Sequence, residues 1–181
     1  MGKVMKIVLI IVLVLVILFA GAMMFFGSYI KINEKELPSN ETVIEGVNGK
    51  QALVLYQDSK HDTAKNITMA LAQELNDAGY TVVINHPSKE LNYSINDYDI
   101  FAFGSAVYAG QVSEPLKNYL DNHSFEDKKV IVYAVGNMVD NLSEVDLLKS
   151  KVKNAVKVDG IKVRKGNEDK IKEFVKNFLK Q

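Results

Sequence analysis

A short polar loop, Ser59 to Ala64, carries the side chains that best suit anion chemistry. It follows the apolar run "QALVLY" and precedes a helical pattern, "TAKNITMALAQELNDAGY". The first turn of a helix exposes backbone N–H groups without intrahelical partners and carries about half a positive charge. Such an end favours a phosphate group. The loop adds an ammonium group at Lys60 and an imidazole at His61, so it is a candidate phosphate site.

Asp62, in the middle of the same loop, works against that chemistry. A carboxylate repels a phosphate dianion, and at a helix start it can itself accept hydrogen bonds from the exposed N–H groups. Two interpretations therefore stay open. Either Lys60 and His61 offset the charge and a phosphate binds, or Asp62 caps the helix and the loop binds no phosphate.

Composition argues against several other kinds of site. The 181 residues contain no Cys, which excludes disulfides, thiol catalysis and thiolate metal ligands. The three His residues show no i, i+4 pairing, so we expect no metal site. The formal net charge is zero, and acidic and basic residues are interleaved rather than clustered. This pattern does not suit nucleic-acid binding.

The amino-terminal segment "IVLIIVLVLVILFAGAMMFF", residues 7–26, is almost wholly apolar. It lies within the 24 uncharged residues between Lys6 and Lys31. About 20 helical residues span a hydrocarbon core of about 30 Å. The sequence therefore predicts a transmembrane helix over residues 7–26, which enters the lipid bilayer after a short tail, residues 1–6. A cleaved signal peptide is the alternative, because Ala20 to Ala22 form a small-residue cleavage pattern.

The side of the membrane on which the domain lies is predicted from two weak signals. Lys3 and Lys6, with the amino terminus, slightly outweigh Lys31 and Lys35, so the domain is expected outside. Five N-glycosylation patterns exceed the roughly one expected by chance from composition. Their asparagines are Asn40, Asn66, Asn92, Asn122 and Asn141. The excess favours a glycosylated outer domain; chance spacing in an Asn-rich sequence is the alternative.

Beyond the apolar segment, residues 27–48 are polar and contain Pro38, which predicts a juxtamembrane linker. Residues 49–181 are predicted to form one domain. Apolar runs, typical of buried strands, occupy 51–56, 81–86, 100–105, 128–137 and 158–163. Helical patterns lie between and after them, at about 63–78, 113–123, 143–156 and 167–181. Gly79, Ser113, Ser143 and Asn167 are predicted to stop or cap these helices.

This alternation predicts an α/β fold, a doubly wound five-stranded parallel sheet in the order 2-1-3-4-5, preceded by one transmembrane helix. Ligands of such sheets bind at the carboxyl ends of the strands, beside the point where the strand order reverses. Three loops meet there, at residues 57–63, 105–112 and 136–142. The candidate phosphate loop is the first of them.

Three stretches resemble the flavin loops of the flavodoxin family: "ALVLYQDSKHDTAKNI", "YDIFAFGSAVYAGQVSEPLKNYL" and "KKVIVYAVGN". The most similar branch is the short flavodoxin-like domains related to menaquinone-dependent protoporphyrinogen oxidase. The resemblance covers about residues 50–140. It implies noncovalent binding of FMN and electron transfer, with a redox partner protein or a quinone as partner. It implies neither a catalytic side chain nor a particular substrate.

The resemblance also implies which residues hold the cofactor. Tyr108 would stack on the flavin ring, and Gly110 would let the backbone approach the edge of the ring. The full set is Ser59, Lys60, His61, Asp62, Thr63, Ala64, Ser105, Ala106, Tyr108, Gly110, Gly136 and Asn137.

The first loop departs from the family pattern Ser/Thr-x-Thr-Gly-x-Thr, of which only Ser59 keeps its residue type. A second hypothesis is therefore a degenerate domain without flavin, which acts as a membrane-tethered interaction or ligand-binding module.

Overall fold

The computed structural model describes residues 2–180. Met1, in the predicted tail, and Gln181, in the predicted last helix, lie outside the described residues. The described helices are α1 (Lys3–Glu34), α2 (Thr63–Asp77), α3 (Glu114–Asn122), α4 (Ser143–Lys151) and α5 (Glu168–Lys180). The strands are β1 (Thr42–Ile44), β2 (Gln51–Gln57), β3 (Thr81–Asn85), β4 (Ile100–Ala106), β5 (Lys129–Val135) and β6 (Lys157–Val163). A short 3-10 helix covers Ile95–Asp97.

The strands form one sheet in the order β1-β3-β2-β4-β5-β6. Strands β2 to β6 are parallel, which confirms the predicted five-stranded order. Strand β1 is an addition that the sequence did not predict. It pairs antiparallel with the edge strand β3, with Val43 opposite Val83. Its three residues lie within a polar stretch, so they show too little periodicity to indicate a strand.

Helices cover both faces of the sheet, which explains why the central strands are continuously apolar. On one face, α2 and α5 pack through Leu71, Leu75 and Val175 against alternate residues of β2 such as Val54. On the other face, α3 and α4 pack against the intervening residues, such as Leu55. The two apolar layers fix the register of β2, because a shift of one residue would exchange its two faces.

The predicted stop at Gly79 and the predicted cap at Ser113 are confirmed, and the predicted cap at Ser143 is wrong. Gly79 follows α2 with φ 93°, and its N–H donates to the Asn76 carbonyl at 2.7 Å. The Ser113 side chain caps α3 by accepting from the Leu116 N–H. Ser143 does not cap α4: it is the first helical residue, and its hydroxyl makes no capping bond. Helix α4 also ends earlier than predicted, because the backbone is already extended at Val152, with φ -77° and ψ 117°.

Helix α1 continues eight residues beyond the predicted end at residue 26. The predicted linker therefore contains the last part of α1 and the whole of β1. Within α1, the 23 residues Lys3–Phe25 form an apolar stretch, none of which is buried against the protein. Their length of about 35 Å is enough to cross a bilayer. This one amino-terminal apolar helix is consistent with a single-pass anchor or a signal sequence.

The end of α1 and the residues that follow it lie along the carboxyl edge of the sheet. The Asn33 side-chain amide donates to the Gln111 carbonyl at 2.7 Å. Gln57, at the end of β2, donates to the Lys35 carbonyl at 3.2 Å. Asn85, at the end of β3, donates to the Ser39 hydroxyl at 2.8 Å. The apolar helix thus leads directly to the edge at which doubly wound sheets bind ligands.

Candidate cofactor cleft

A cleft of about 240 Å³, the edge cleft, lies where β2, β4, β5 and β6 end. The first loop lines it with Ser59, His61 and Thr63. The second and third loops contribute residues 106–108 and 135–137, and the loop after β6 contributes Arg164 and Lys165. The topology therefore brings the three predicted loops together around one opening.

The structure divides the predicted site residues into two groups. Those that line the edge cleft are Ser59, His61, Thr63, Ala106, Tyr108, Gly136 and Asn137. Those that lie outside its lining are Lys60, Asp62, Ala64, Ser105 and Gly110. The sequence interpretation did not include Val107, Val135, Arg164 and Lys165, which also line it. The basic pair could have been found from its position directly after the fifth parallel strand, at the same edge of the sheet.

The first loop binds its own backbone donors. The Asp58 carboxylate accepts from the Ser59 N–H at 2.7 Å and from the Lys65 N–H at 3.3 Å. The Ser59 hydroxyl accepts from the Ala64 N–H at 3.2 Å. The Tyr108 hydroxyl accepts from the Lys60 N–H at 2.9 Å. These are the kind of N–H groups with which a helix start would hold a phosphate.

Asp62 does not cap α2, so that prediction is wrong. Its backbone is left-handed, with φ 53° and ψ 10°, and its side chain makes no capping bond. A capping side chain normally requires an extended backbone at the cap position, and the left-handed conformation does not supply it. Asp58, four residues earlier, accepts from the helix start instead. The sequence signal for this role is an acid directly after the end of β2.

Asp58 and Asp62 make the electrostatic potential beside the first loop negative. Burial, followed by the charges of Asp58 and Asp62, raises the pKa of the Tyr56 phenol to about 12. The lining residues Arg164 and Lys165 belong to a different loop and are exposed. An anion in the edge cleft would therefore meet cations at the loop after β6, while Asp58 and Asp62 lie in the first loop outside the lining of the cleft.

The second loop contains a tight hairpin turn, which accounts for Gly110 at its tip. Tyr108 and Gln111 exchange backbone hydrogen bonds of 3.1 and 2.9 Å around Ala109 and Gly110, whose φ values are 51° and 74°. Two left-handed residues at the tip define a type I′ turn, which glycine favours. Gly104 serves the core: a Cβ there would lie 2.0 Å from the Tyr133 ring. Both glycines thus have structural reasons that need no ligand.

Ser105, near the end of β4, is fully buried and anchors the end of this strand through hydrogen bonds. Its hydroxyl donates to the Ala106 carbonyl at 2.8 Å and accepts from the Ser113 N–H at 2.9 Å. The Ser113 hydroxyl donates in turn to the Gln57 side chain at 3.2 Å. Ser105 therefore fixes the second loop relative to β2 and α3.

The third loop is held by a buried ion pair. The Lys162 ammonium lies 2.6 Å from the Glu144 carboxylate and 2.8 Å from the Asn141 carbonyl. Burial raises the pKa of Glu144, but hydrogen bonds, chiefly from Lys162, outweigh this effect and hold the pKa below its usual value. A Cβ at Gly136 would lie 3.1 Å from the Val107 Cβ, so the second and third loops pack closely.

The fold and the edge cleft define a flavodoxin-like α/β protein. A family described as the flavodoxin domain matches residues 53–179, and the chain therefore belongs to the flavodoxin domain family. An uncharacterized protein of Methanocaldococcus jannaschii is 31% identical over 84 residues. That match covers 46% of this chain and 53% of the relative, so the chain spans about half the length of the curated relative it matches.

Solved structures share the fold at low identity. Oxidised flavodoxin 2 from Bacillus cereus has a TM-score of 0.62 at 19% identity, covering 72% of this chain and 98% of that one. The Streptococcus pneumonia TIGR4 flavodoxin has a TM-score of 0.56 at 16% identity, with 72% and 98% covered. A Lactobacillus acidophilus NCFM flavoprotein in complex with FMN has a TM-score of 0.50 at 18% identity, with 67% and 97% covered.

Members of the flavodoxin family bind FMN, so the residues of the edge cleft can be tested against this group. At the end bordered by Tyr108 and Gly136, the cleft is lined by the second and third loops, which contribute no carboxylate to its lining. The end formed by the first loop fits a phosphate only after the Asp58 carboxylate leaves the Ser59 and Lys65 N–H groups. The volume of about 240 Å³ is also below the roughly 300 Å³ at which ligand pockets begin.

Proposed function

We propose that the chain is a membrane-anchored flavodoxin-domain protein that binds FMN noncovalently in the edge cleft and transfers electrons. The observation that supports this most strongly is the convergence of the three loops on one opening at the carboxyl edge. FMN, when bound, supplies the redox chemistry. The chain supplies binding and orientation, and no side chain is proposed to be catalytic. The electron partner would be a redox protein or a quinone.

In this proposal each end of the edge cleft has its own residues. Tyr108 and Gly136 border the ring, and Asn137 lies beside it. Ser59 and Thr63 offer hydroxyl groups to the phosphate, while Arg164 and Lys165 offset its charge. Lys60, Asp62 and Ala64 act through the backbone of the first loop, and Ser105 through the position of β4. Gly110 forms the hairpin turn.

A specific observation favours a second candidate, a flavin-free module that binds a ligand or a partner at the membrane. The Asp58 carboxylate already satisfies donors that a phosphate would use. If this carboxylate never leaves, the phosphate of FMN has no place at the helix start. The same fold would then serve only to present loops near the membrane.

The deciding experiment is a titration of FMN, and in parallel riboflavin, into the full chain in detergent micelles, followed by flavin fluorescence. Riboflavin carries the ring without the phosphate, so it serves as the matched probe. We expect saturable quenching with a micromolar Kd for FMN and weaker binding of riboflavin. Equal affinities would mean that the ring end binds and the first loop does not. No binding of either compound would overturn the proposal in favour of the flavin-free module.

We also propose that the domain lies on the outer face and carries N-glycans. All five asparagines of the glycosylation patterns are exposed, which is a requirement for modification. Asn66 lies on α2 and the other four lie near element ends or in loops. A mass spectrum of the native protein that matches the bare chain would contradict this proposal.

A further inference from the structure

A second and larger cavity lies on the other side of the first loop. This interface cavity, of about 800 Å³, opens between the end of α1, residues 35–40 and the ends of β2 and β3. Carbon atoms make up most of its exposed lining, and Leu37 and Pro38 are the apolar side chains among the described lining residues. The volume lies within the roughly 300–1,000 Å³ of small-molecule sites, whereas the edge cleft lies below that range. The proposed FMN position lies in the edge cleft and not in this cavity.

The interface cavity lies at the height of lipid headgroups if α1 crosses the bilayer, as proposed above. The apolar stretch of α1 ends at Phe25. Lys31 is six residues further along the helix, or about 9 Å at 1.5 Å per residue. The polar layer of a bilayer is about 5–8 Å thick on each side, and a lysine side chain reaches several ångströms further. The mouth of the cavity therefore meets the headgroup layer.

The mouth of the interface cavity carries a net positive charge. Lys31, Lys35 and Lys60 line the cavity, and Asp58 is the carboxylate among its described lining residues. Asp58 already accepts hydrogen bonds from the N–H groups of Ser59 and Lys65. Within residues 2–180 the structure records no ion pair for the Lys31 or Lys35 ammonium groups. A mostly apolar cavity with a cationic mouth suits an amphipathic anion.

His86 gives the inner wall a polar group of fixed orientation. It is buried, its Nδ1 lies 2.9 Å from the Tyr56 carbonyl, and its ring packs at 4.8 Å from the Tyr56 ring. A carbonyl only accepts hydrogen bonds, so Nδ1 must carry the proton. The Nε2 atom is therefore the ring nitrogen left for a polar group of a ligand.

We infer that the interface cavity binds an anionic phospholipid of the surrounding bilayer. The phosphate of the headgroup lies between Lys31 and Lys35, and the first carbons of the acyl chains pack on Leu37 and Pro38. The lipid then holds the end of α1 against the carboxyl edge of the sheet. The site does not require flavin, because the phosphate position in the edge cleft lies across the first loop.

The test uses native mass spectrometry of the full chain in detergent, with equimolar phosphatidylglycerol and phosphatidylcholine added. We expect one phosphatidylglycerol molecule retained per chain, with about tenfold preference over phosphatidylcholine. The double variant Lys31→Gln/Lys35→Gln should lose this preference. The matched control is Lys3→Gln/Lys6→Gln, which removes the same charge at the other end of α1 and should keep it. Circular dichroism checks that each variant retains its secondary structure.

Three outcomes would overturn the inference. Equal retention of the two lipids would mean that the cavity does not recognise an anionic headgroup. Equal loss in both double variants would mean that the lysines act only through the general field of the membrane surface. Displacement of the lipid by millimolar inorganic phosphate would identify free phosphate rather than a lipid as the ligand. Extraction of membranes at alkaline pH tests the anchor separately, and flavin titration of the same samples tests the proposed cofactor.

Discussion

The two ends of the edge cleft are built differently. At the ring end, the second and third loops are held by buried partners that belong to the core, namely Ser105 with Ser113 and Lys162 with Glu144. At the phosphate end, the first loop is held by half-buried side chains: Asp58 accepts from two backbone donors, and Ser59 and Tyr108 each accept from one. The shape of the ring end thus follows from the fold. The chemistry of the phosphate end depends on a few half-buried side chains, of which Asp58 carries the charge.

This difference suggests how a flavodoxin domain can retain its fold while its cofactor affinity changes. The buried contacts at the ring end are needed for stability whether or not flavin binds, because an unpaired buried polar group is costly. The backbone N–H donors at the phosphate end need an acceptor, which either a carboxylate of the chain or the phosphate of a ligand can supply. Substitutions at the two ends should therefore affect different quantities.

The largest expected effect is on stability, from Lys162→Met. This change leaves Glu144 buried without its cation, which typically costs 3–5 kcal/mol. We expect the free energy of unfolding, measured by urea denaturation, to fall by about that amount. The surface variant Lys151→Met, which breaks the more exposed pair with Asp121, is the control and should cost about 1 kcal/mol or less.

A second variant separates the ion pair from the packing around it. Lys162→Met combined with Glu144→Leu removes both charges and should recover most of the lost free energy, because buried pairs can often be replaced by apolar residues. If the single variant Lys162→Met were as stable as the unchanged chain, the ring end would not depend on this pair. The proposed difference between the two ends of the edge cleft, that only the ring end depends on buried partners, would then be wrong.

The next effect concerns affinity rather than stability. Asp58→Asn removes the negative charge that competes with a phosphate at the Ser59 and Lys65 N–H groups. We expect the Kd for FMN, measured by fluorescence titration, to fall about tenfold, which corresponds to about 1.4 kcal/mol. The Kd for riboflavin should change little, because riboflavin has no phosphate.

Asp97→Asn is the matched control for the loss of one charge. Asp97 is exposed and lies in the 3-10 helix before β4, at the opposite edge of the sheet. This variant should leave both affinities unchanged. Equal tightening of FMN and riboflavin in Asp58→Asn would show that the carboxylate blocks the ring end rather than the phosphate.

Most of the fold could be predicted from sequence, because buried parallel strands give continuous apolar runs and α2 and α5 give clear apolar faces. Strand β1 could not, because three residues in a polar stretch carry no period. Helix α4 was predicted too long because its apolar pattern continues past Lys151, while the extended backbone at Val152 that ends the helix leaves no pattern.

The composition of the candidate site was harder to predict than its position. Strand order alone located the loops. The sequence then indicated Asp62 as the cap, because an acid directly before a helix is typical of a cap. Its left-handed backbone lies in a loop whose Lys60 N–H bonds to Tyr108, a residue of the second loop. Local propensity contains no information about such contacts.

A smaller effect tests the ring end itself. Tyr108→Ala removes the ring that borders the edge cleft and the hydroxyl that accepts from Lys60, and we expect FMN and riboflavin to bind about fivefold more weakly, or about 1 kcal/mol. Tyr108→Phe keeps the ring and removes only the hydroxyl, so it should stay within about twofold for both compounds. Equal loss in the two variants, measured by the same titration, would mean that Tyr108 acts through the first loop and not by stacking.

The smallest expected effect is at Asp62, where three substitutions separate charge from backbone conformation. The left-handed backbone at φ 53° is tolerated by Asp and favoured by Gly. Asp62→Gly should therefore leave the free energy of unfolding unchanged or raise it by up to about 1 kcal/mol. Asp62→Ala should lower it by about 1 kcal/mol, because Ala resists this conformation.

Asp62→Asn keeps the tolerance for a left-handed backbone and removes only the charge, so it isolates the effect on the phosphate end. Both Asp62→Asn and Asp62→Gly should tighten FMN about threefold, less than Asp58→Asn, because Asp62 is exposed and screened by solvent. If Asp62→Gly lowered the free energy of unfolding by a few tenths of a kcal/mol, roughly what the loss of a cap to Gly costs, while Asp62→Asn left it unchanged, the carboxylate would be capping α2 in solution. The phosphate end would then be held by two carboxylates, and removing Asp58 alone would not open it.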